Sequence, residues 1–353
     1  RKVLSKACKL VDILDSPADK GRFTKIKIAL LSLLPWKYPY TIEWLQSVEY
    51  RERVLTLVRD GDYDLVHCDT ISLVPYLEGL AGFKKTLDHH NVESQMLLRR
   101  ASMSKNLLKK LYFYQEGKRL EQFERKRCEE FDSNIMCSDL DADRLKQINP
   151  KCSTFVAPNS VDIDFFKPSE GIEVDPATFL FVGTLSWYPN LAAIRYLVKH
   201  LWSGMKALHP EIEMHVIGAN PPDDLVEFAE KEKGFHIHGF VDDLKPFFAR
   251  ATGYLCPISD GGGTKLKLLD AFASGKAVIA HPVACEGLMM TDNLNVLQAS
   301  SPEQFLTHMS AIIESPALRT SLECAARRHA VEQFSSIAIG KALADHFSML
   351  CSR

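Results

Sequence analysis

The sequence predicts an α/β protein of two domains built on parallel sheets. Three observations predict it. At 353 residues the chain is long enough for two cores rather than one. From about residue 178 onward, apolar runs of strand length alternate with amphipathic helical segments, the pattern of a parallel sheet with right-handed crossovers. Between one such strand and the next helix stand three consecutive glycines, Gly261, Gly262 and Gly263. Sheets of this kind bind ligands at the carboxyl ends of their strands, where such a loop falls.

Composition narrows the class. The chain is 46% hydrophobic and 25% charged, as in a globular enzyme, with a net charge of −2 that gives no support to nucleic-acid binding. No apolar run approaches the roughly 20 residues needed to span a bilayer. Nine scattered cysteines form no C-x-x-C pair, which favours reduced thiols and a cytoplasmic setting over a zinc site or a disulfide framework.

In chain order, residues 10–14 could form a strand, and 24–34 and 42–59 read as helices. Strands are expected at 64–67, 86–91, 133–137 and 154–157. Ser138 is a favoured N-cap for the helix that follows it. Residues 94–130 form a long basic helical region with Leu107, Leu108, Leu111, Tyr112 and Tyr114 interleaved among its lysines and arginines. It predicts either a peripheral membrane or acceptor-binding face, or a solvated helix balanced by Glu116, Glu121 and Glu124. A polar, turn-rich segment at 171–177 is the expected linker. Beyond it, strands are expected at 179–183, 214–218, 235–238, 253–257, 277–280 and 295–297. Helices are expected at 190–200, 223–230, 244–250, 265–274, 302–314 and 317–333.

The 253–275 stretch carries the clearest chemistry. A strand ends at Pro257, the glycines follow, Thr264 is a candidate N-cap and Gly275 a candidate C-cap. Glycines let an anion approach the backbone closely, and the first N–H groups of a helix have no partner within it. Lys265 and Lys267 stand in the first turn, where the helix dipole alone would favour acids. Cations there fit a multiply charged anion; the alternative is an ordinary capped loop with solvated lysines.

Several segments together resemble the retaining GT-B glycosyltransferases of family 4, within the glycosyl transferases group 1. In the second half these are Phe-Val-Gly-Thr-Leu-Ser-Trp-Tyr-Pro-Asn-Leu (181–191), Val-Ile-Gly (216–218), His-Gly-Phe-Val-Asp-Asp-Leu (238–244), the 261–275 loop and helix, and Cys-Glu-Gly-Leu (285–288). Weaker matches in the first half are Asp-Leu-Val-His (64–67), His-Asn-Val-Glu-Ser (90–94), Cys-Ser-Asp (137–139) and Pro-Asn-Ser-Val-Asp (158–162).

The resemblance implies two Rossmann-like domains facing across a cleft. It divides the chain into an acceptor-binding domain at 1–170, expected to lack its first strand and glycine loop, and a nucleotide-sugar donor domain at 171–335. A terminal helix at 336–353 is expected to cross back to the first domain. It also implies transfer of a hexose from a UDP- or GDP-sugar to a hydroxyl of a glycan or lipid-linked acceptor, in polysaccharide biosynthesis. No metal and no other cofactor are expected, because lysines and helix N-termini neutralise the departing diphosphate. Gly183 and Thr184, with Asn190 nearby, would approach the phosphates; Gly262, Gly263 and Thr264 would cradle them, with Lys265 and Lys267 as cations. Asp270 would bind the ribose, Phe240 and Val241 would flank the base, and Glu286 would touch nucleotide or sugar. His90 matches the histidine at the donor-sugar end, with Asn91 and Glu93 behind it. Members often carry paired glutamates eight positions apart in this loop; here those positions hold Gly262 and Asp270, so the loop does not name the sugar. Two other readings remain open, a GT-B sugar-nucleotide epimerase and a non-catalytic nucleotide-sugar-binding protein.

Overall fold

The computed structural model describes residues 6, 8–15, 21–32, 34, 37–169 and 171–352. The chain divides into two compact units: residues up to Val156 together with those from His346 on, and Ala157–Asp345.

The first unit opens with α1 (Arg22–Leu31), α2 (Tyr40–Glu43) and α3 (Val48–Asp60), followed by β1 (Leu65–Cys68) and β2 (Lys84–His89). Then come α4 (Glu93–Met103), α5 (Leu107–Arg127), β3 (Ser133–Met136), α6 (Asp139–Ile148) and β4 (Thr154–Val156). The four strands pair in parallel in the order β1-β2-β3-β4. Leu87, Leu120, Met136 and Leu145 form the centre of its core.

Three expectations for this unit change. Residues 10–14 are irregular, and Asp12 is tied by its carboxylate to Arg53 of α3 at 2.5 Å instead of joining a ladder. The expected 42–59 helix is broken, because Ser47 caps α3 by accepting from the Tyr50 N–H. The long basic helix is two helices, since Asn106 accepts from the Lys109 N–H and starts a new one. Two of the glutamates offered as acidic partners for a solvated helix, Glu116 and Glu124, are buried. Glu116 accepts from the Tyr40 N–H at 2.6 Å and pairs with Arg119 at 2.9 Å. Glu124 accepts from the N–H and hydroxyl of Ser94, and burial raises its pKa to about 7.

The second unit begins with β5 (Thr178–Val182), α7 (Tyr188–Tyr196), a wide turn at Leu197–Leu201 and α8 (Trp202–Leu208). It continues with β6 (Glu213–Ile217), α9 (Asp223–Lys231), β7 (Phe235–Ile237), α10 (Lys245–Arg250) and β8 (Gly253–Cys256). Next are α11 (Leu266–Ala273), β9 (Ala277–Ala280), α12 (Pro282–Cys285), β10 (Leu297–Gln298), α13 (Pro302–Glu314) and α14 (Pro316–Phe334). The final helix, α15 (Ser336–Cys351), starts in this unit and ends in the first. All pairings are parallel, in the order β10-β9-β8-β5-β6-β7. β8 and β9 are buried along their whole length, as strands covered on both faces must be.

The segment expected to separate the domains, 171–177, is not where the units part. Residues 157–169 belong to the second unit. The Val161 N–H donates to the Phe334 carbonyl at 2.8 Å, and the Arg327 guanidinium donates to the carbonyls of Ile163, Phe166 and Ala273.

All nine cysteines are free; Cys8, Cys324 and Cys351 are exposed. Among the described residues, no helix is long and apolar enough to cross a membrane.

Candidate functional site

Strand order alone locates the site. From β5 the chain adds β6 and β7 on one side, then returns to add β8, β9 and β10 on the other. The order reverses between β5 and β8, so the loops leaving their carboxyl ends diverge and leave a crevice. A cavity of about 310 Å³ lies there. Its walls are Gly183, Thr184, Trp187, Pro189 and Asn190 after β5, and Ile258, Gly261, Gly262, Thr264, Lys265, Leu266 and Lys267 after β8.

Glycines make this convergence possible. A Cβ on Gly218 would lie 2.0 Å from the Gly183 carbonyl oxygen. A Cβ on Gly183 would lie 2.6 Å from Lys267 Nζ and 2.7 Å from Asn190 Nδ2. The Gly183 N–H donates to Ile217 and the Gly218 N–H to Gly239, both at 2.8 Å. Three strand ends are thus drawn together with no side chain between them.

Lys267 is the central cation. Its Nζ donates to Asn190 Oδ1 and lies 5.0 Å from the centroid of the Phe181 ring. Asn190 is buried and donates from Nδ2 to the Thr184 carbonyl at 2.9 Å, so it orients the lysine and the loop after β5 together. Burial lowers the Lys267 pKa to about 8, with the charge of Lys265 acting the same way. A half-buried ammonium whose hydrogen-bond partner among the described residues is a neutral amide favours an incoming anion.

Lys265 sits differently from the expectation. Its Nζ donates to the carbonyls of Gly262 at 2.8 Å, Gly263 at 2.9 Å and Gly261 at 3.3 Å, so it braces the glycine loop from inside. The helix start is also corrected. Thr264 is not the N-cap; Lys265 holds that position without a side-chain cap, and α11 begins at Leu266. The reason is Asn159, whose Nδ2 donates to the Thr264 hydroxyl at 2.5 Å. The Pro-Asn motif at 158–159 carried that signal, but only the fold reveals its partner. At the other end, Gly275 stands just beyond the Ser274 C-cap with φ 65°, and the Gly275 and Lys276 N–H groups close a Schellman motif on Phe272 and Ala271.

Of the residues predicted for the donor, Gly183, Thr184, Asn190, Gly262, Thr264, Lys265 and Lys267 line one cavity, and Gly263 joins them through its carbonyl. Phe240, Val241, Asp270 and Glu286 are not among its lining residues. Asp270 is half-buried one helical turn beyond Lys267, and burial raises its pKa to about 6 against the opposing pull of Lys267. Phe240 is 75% exposed after Gly239, and Val241 packs on the core of the unit. Glu286 is half-buried at the end of α12. His90 belongs to the first unit, where it is exposed and its Nε2 lies 3.3 Å from Asp69 Oδ1. Its neighbour His89 is buried against Asn134, with a pKa lowered to about 4 by burial. Trp187, Pro189, Ile258 and Leu266 also line the cavity, and no residue pattern singled them out as site residues.

A doubly wound parallel sheet with a cationic, glycine-walled crevice at its reversal point defines a Rossmann-like domain. Residues 176–315 match the family model described as glycosyl transferases group 1. The chain has the fold of the GT-B glycosyltransferases. Sucrose-phosphate synthase from Thermosynechococcus elongatus superposes with a TM-score of 0.70 at 16% identity, over 86% of this chain and 78% of that one. The pneumococcal O-GlcNAc transferase GtfA, in complex with UDP and GlcNAc, gives 0.62 at 16% identity, over 85% of this chain and 59% of the other. Anabaena HepE with UDP and glucose gives 0.62 at 14% identity, over 84% and 80%. Among curated proteins nothing matches.

Proposed function

We propose that the protein is a retaining, metal-independent hexosyltransferase. It moves a hexose from a UDP- or GDP-sugar to a hydroxyl of a glycan or lipid-linked acceptor. The observation that carries this reading is Lys267, a half-buried ammonium in a glycine-walled cavity at the sheet's reversal point, hydrogen-bonded to the neutral amide of Asn190. A diphosphate in that cavity would meet Lys267, the N-terminal end of α11 and glycine backbone. These same groups would stabilise the charge that builds on the diphosphate as the glycosidic bond breaks, without a metal ion. Similar folds have been seen with UDP and a sugar bound, which supports a sugar nucleotide as the donor. Asp270 is assigned to the ribose, Phe240 and Val241 to the base, Glu286 to nucleotide or sugar, and His90 to the transferred hexose.

The test offers UDP- and GDP-hexoses with polyprenyl-phosphate or oligosaccharide acceptors, in the presence of EDTA, and follows nucleoside diphosphate and the anomer of the product. Acceptor-dependent release with retained configuration is expected. Epimerised sugar nucleotide without acceptor, or tight nucleotide binding without turnover, would replace this reading.

The start of α5 supports a membrane-facing role during that transfer. Leu107, Leu108 and Leu111 are 80%, 81% and 63% exposed, with Lys105, Lys109 and Lys110 exposed beside them. Apolar side chains ringed by cations fit the headgroup boundary of an anionic bilayer. Flotation with anionic liposomes is expected to carry the protein upward and to fail at high salt or in a Leu107→Glu/Leu108→Glu variant. Equal flotation with neutral vesicles would count against it.

A further inference from the structure

A second cluster of chemistry-bearing side chains lies on the edge of the second sheet. Glu213 and His215 are two residues apart on β6 and therefore share a face. The parallel register sets His236 of β7 directly beside His215, on that same face. His238, two residues further on, stacks on His215 with ring planes 5° apart. The four side chains share no residue with the lining of the donor cavity.

The atoms converge on one point. Glu213 Oε2 lies 3.5 Å from His215 Nε2 and 3.4 Å from His236 Nε2, and the three atoms all fall within 4.8 Å of one another. A tetrahedral ion with bonds of about 2.0–2.1 Å holds its ligand atoms roughly 3.3 Å apart. Two of the three spacings match that edge before any ion is present. His236 Nε2 is shielded from solvent and has no hydrogen-bond partner among the described residues, although buried polar atoms normally have one. His215 Nδ1 lies 2.9 Å from His238 Nε2. With the proton on His215 Nδ1 donated to His238, the Nε2 lone pair points at the cluster, the arrangement by which an outer residue fixes a ligating histidine.

We propose that Glu213, His215 and His236 form a binding site for a divalent ion of the zinc class, with His238 as the positioning residue for His215. Two imidazoles and one carboxylate leave a fourth position for water. The ion joins the edge strand β7 to β6, so its effect is on the stability of that edge.

The test titrates the metal-stripped protein with Co2+ and then with Zn2+. One equivalent of Co2+ is expected to give the visible absorption of a tetrahedral site, which Zn2+ displaces, and Zn2+ is expected to raise the melting temperature. His236→Ala and Glu213→Gln, each checked for native circular dichroism, are expected to abolish both signals. His238→Ala is expected to weaken binding by about 10–100-fold. His67→Ala, in a separate cluster with Asp69 and Asp88, is expected to bind as the parent does. Absence of Co2+ binding by the parent protein overturns the proposal. So does unchanged binding in folded His236→Ala and Glu213→Gln, or loss of binding only in His67→Ala.

Discussion

Lys267→Ala is expected to lower donor-dependent turnover by on the order of 10²–10³-fold, the loss seen when a single preorganised charge-stabilising donor is removed. The same substitution should leave the fold intact. Burial already disfavours the Lys267 ammonium and brings its pKa down to about 8, so the apolar Lys267→Met should be at least as stable as the parent. Loss of turnover with no loss of melting temperature distinguishes a functional charge from a structural one. The pH dependence has a definite sign. Above about pH 8 the empty-site lysine loses the proton a diphosphate requires. Affinity for UDP or GDP should therefore fall, approaching about one log unit per pH unit. A bound diphosphate favours the charged form, so binding near pH 8 should take up a proton. Calorimetry in buffers of differing ionisation enthalpy measures both effects, and Lys267→Met should show neither. Parent-level turnover in Lys267→Ala would remove the diphosphate role assigned to it.

Gly218→Ala is expected to have the largest effect on stability. The added methyl would sit 2.0 Å from the Gly183 carbonyl oxygen and 2.8 Å from its carbonyl carbon. Both are backbone atoms in a strand terminus, so no rotamer change relieves the clash. Overpacking of this kind costs about 3 kcal/mol, a fall of about 6–12 °C for a unit of this size. Because β5 and β6 separate where the clash forms, the anion cavity should be lost with it. Gly340→Ala provides the contrast. It lies in α15 with no atom within 4 Å of the added methyl, and alanine is the better helix former. It should be neutral or stabilising. A Gly218→Ala protein that melts with the parent would contradict the close approach of the two strand ends.

The alternation of strands and helices after residue 178 was legible because each element states its own period. Fully buried parallel strands such as β8 and β9 are continuous apolar runs, and α13 spans the predicted 302–314 with Ser301 and Gln304 closing a capping box. The glycine triplet and its two lysines were equally legible, since glycine and charge report on local backbone and local field. The first unit was harder. Ser47 and Asn106 split two predicted helices by side-chain caps that compete with continuation, and the sequence does not say which of many Ser and Asn residues will do so.

By itself, the sequence determined the α/β class, the strand–loop–helix that walls the candidate site, and the two lysines that line it. These follow from local periodicity and backbone freedom. Tertiary structure alone decided what each charge faces. It turned the Lys265 ammonium onto the carbonyls of its own loop and that of Lys267 onto Asn190. It gave the Thr264 hydroxyl to Asn159, 105 residues away in the chain. It also set His236 beside His215, where only the register of two parallel strands could place them. Hydrogen bonds and charge pairs act over a few ångströms in space, and the distance between two residues in space is set by the packing of the sheet, not by their separation along the chain.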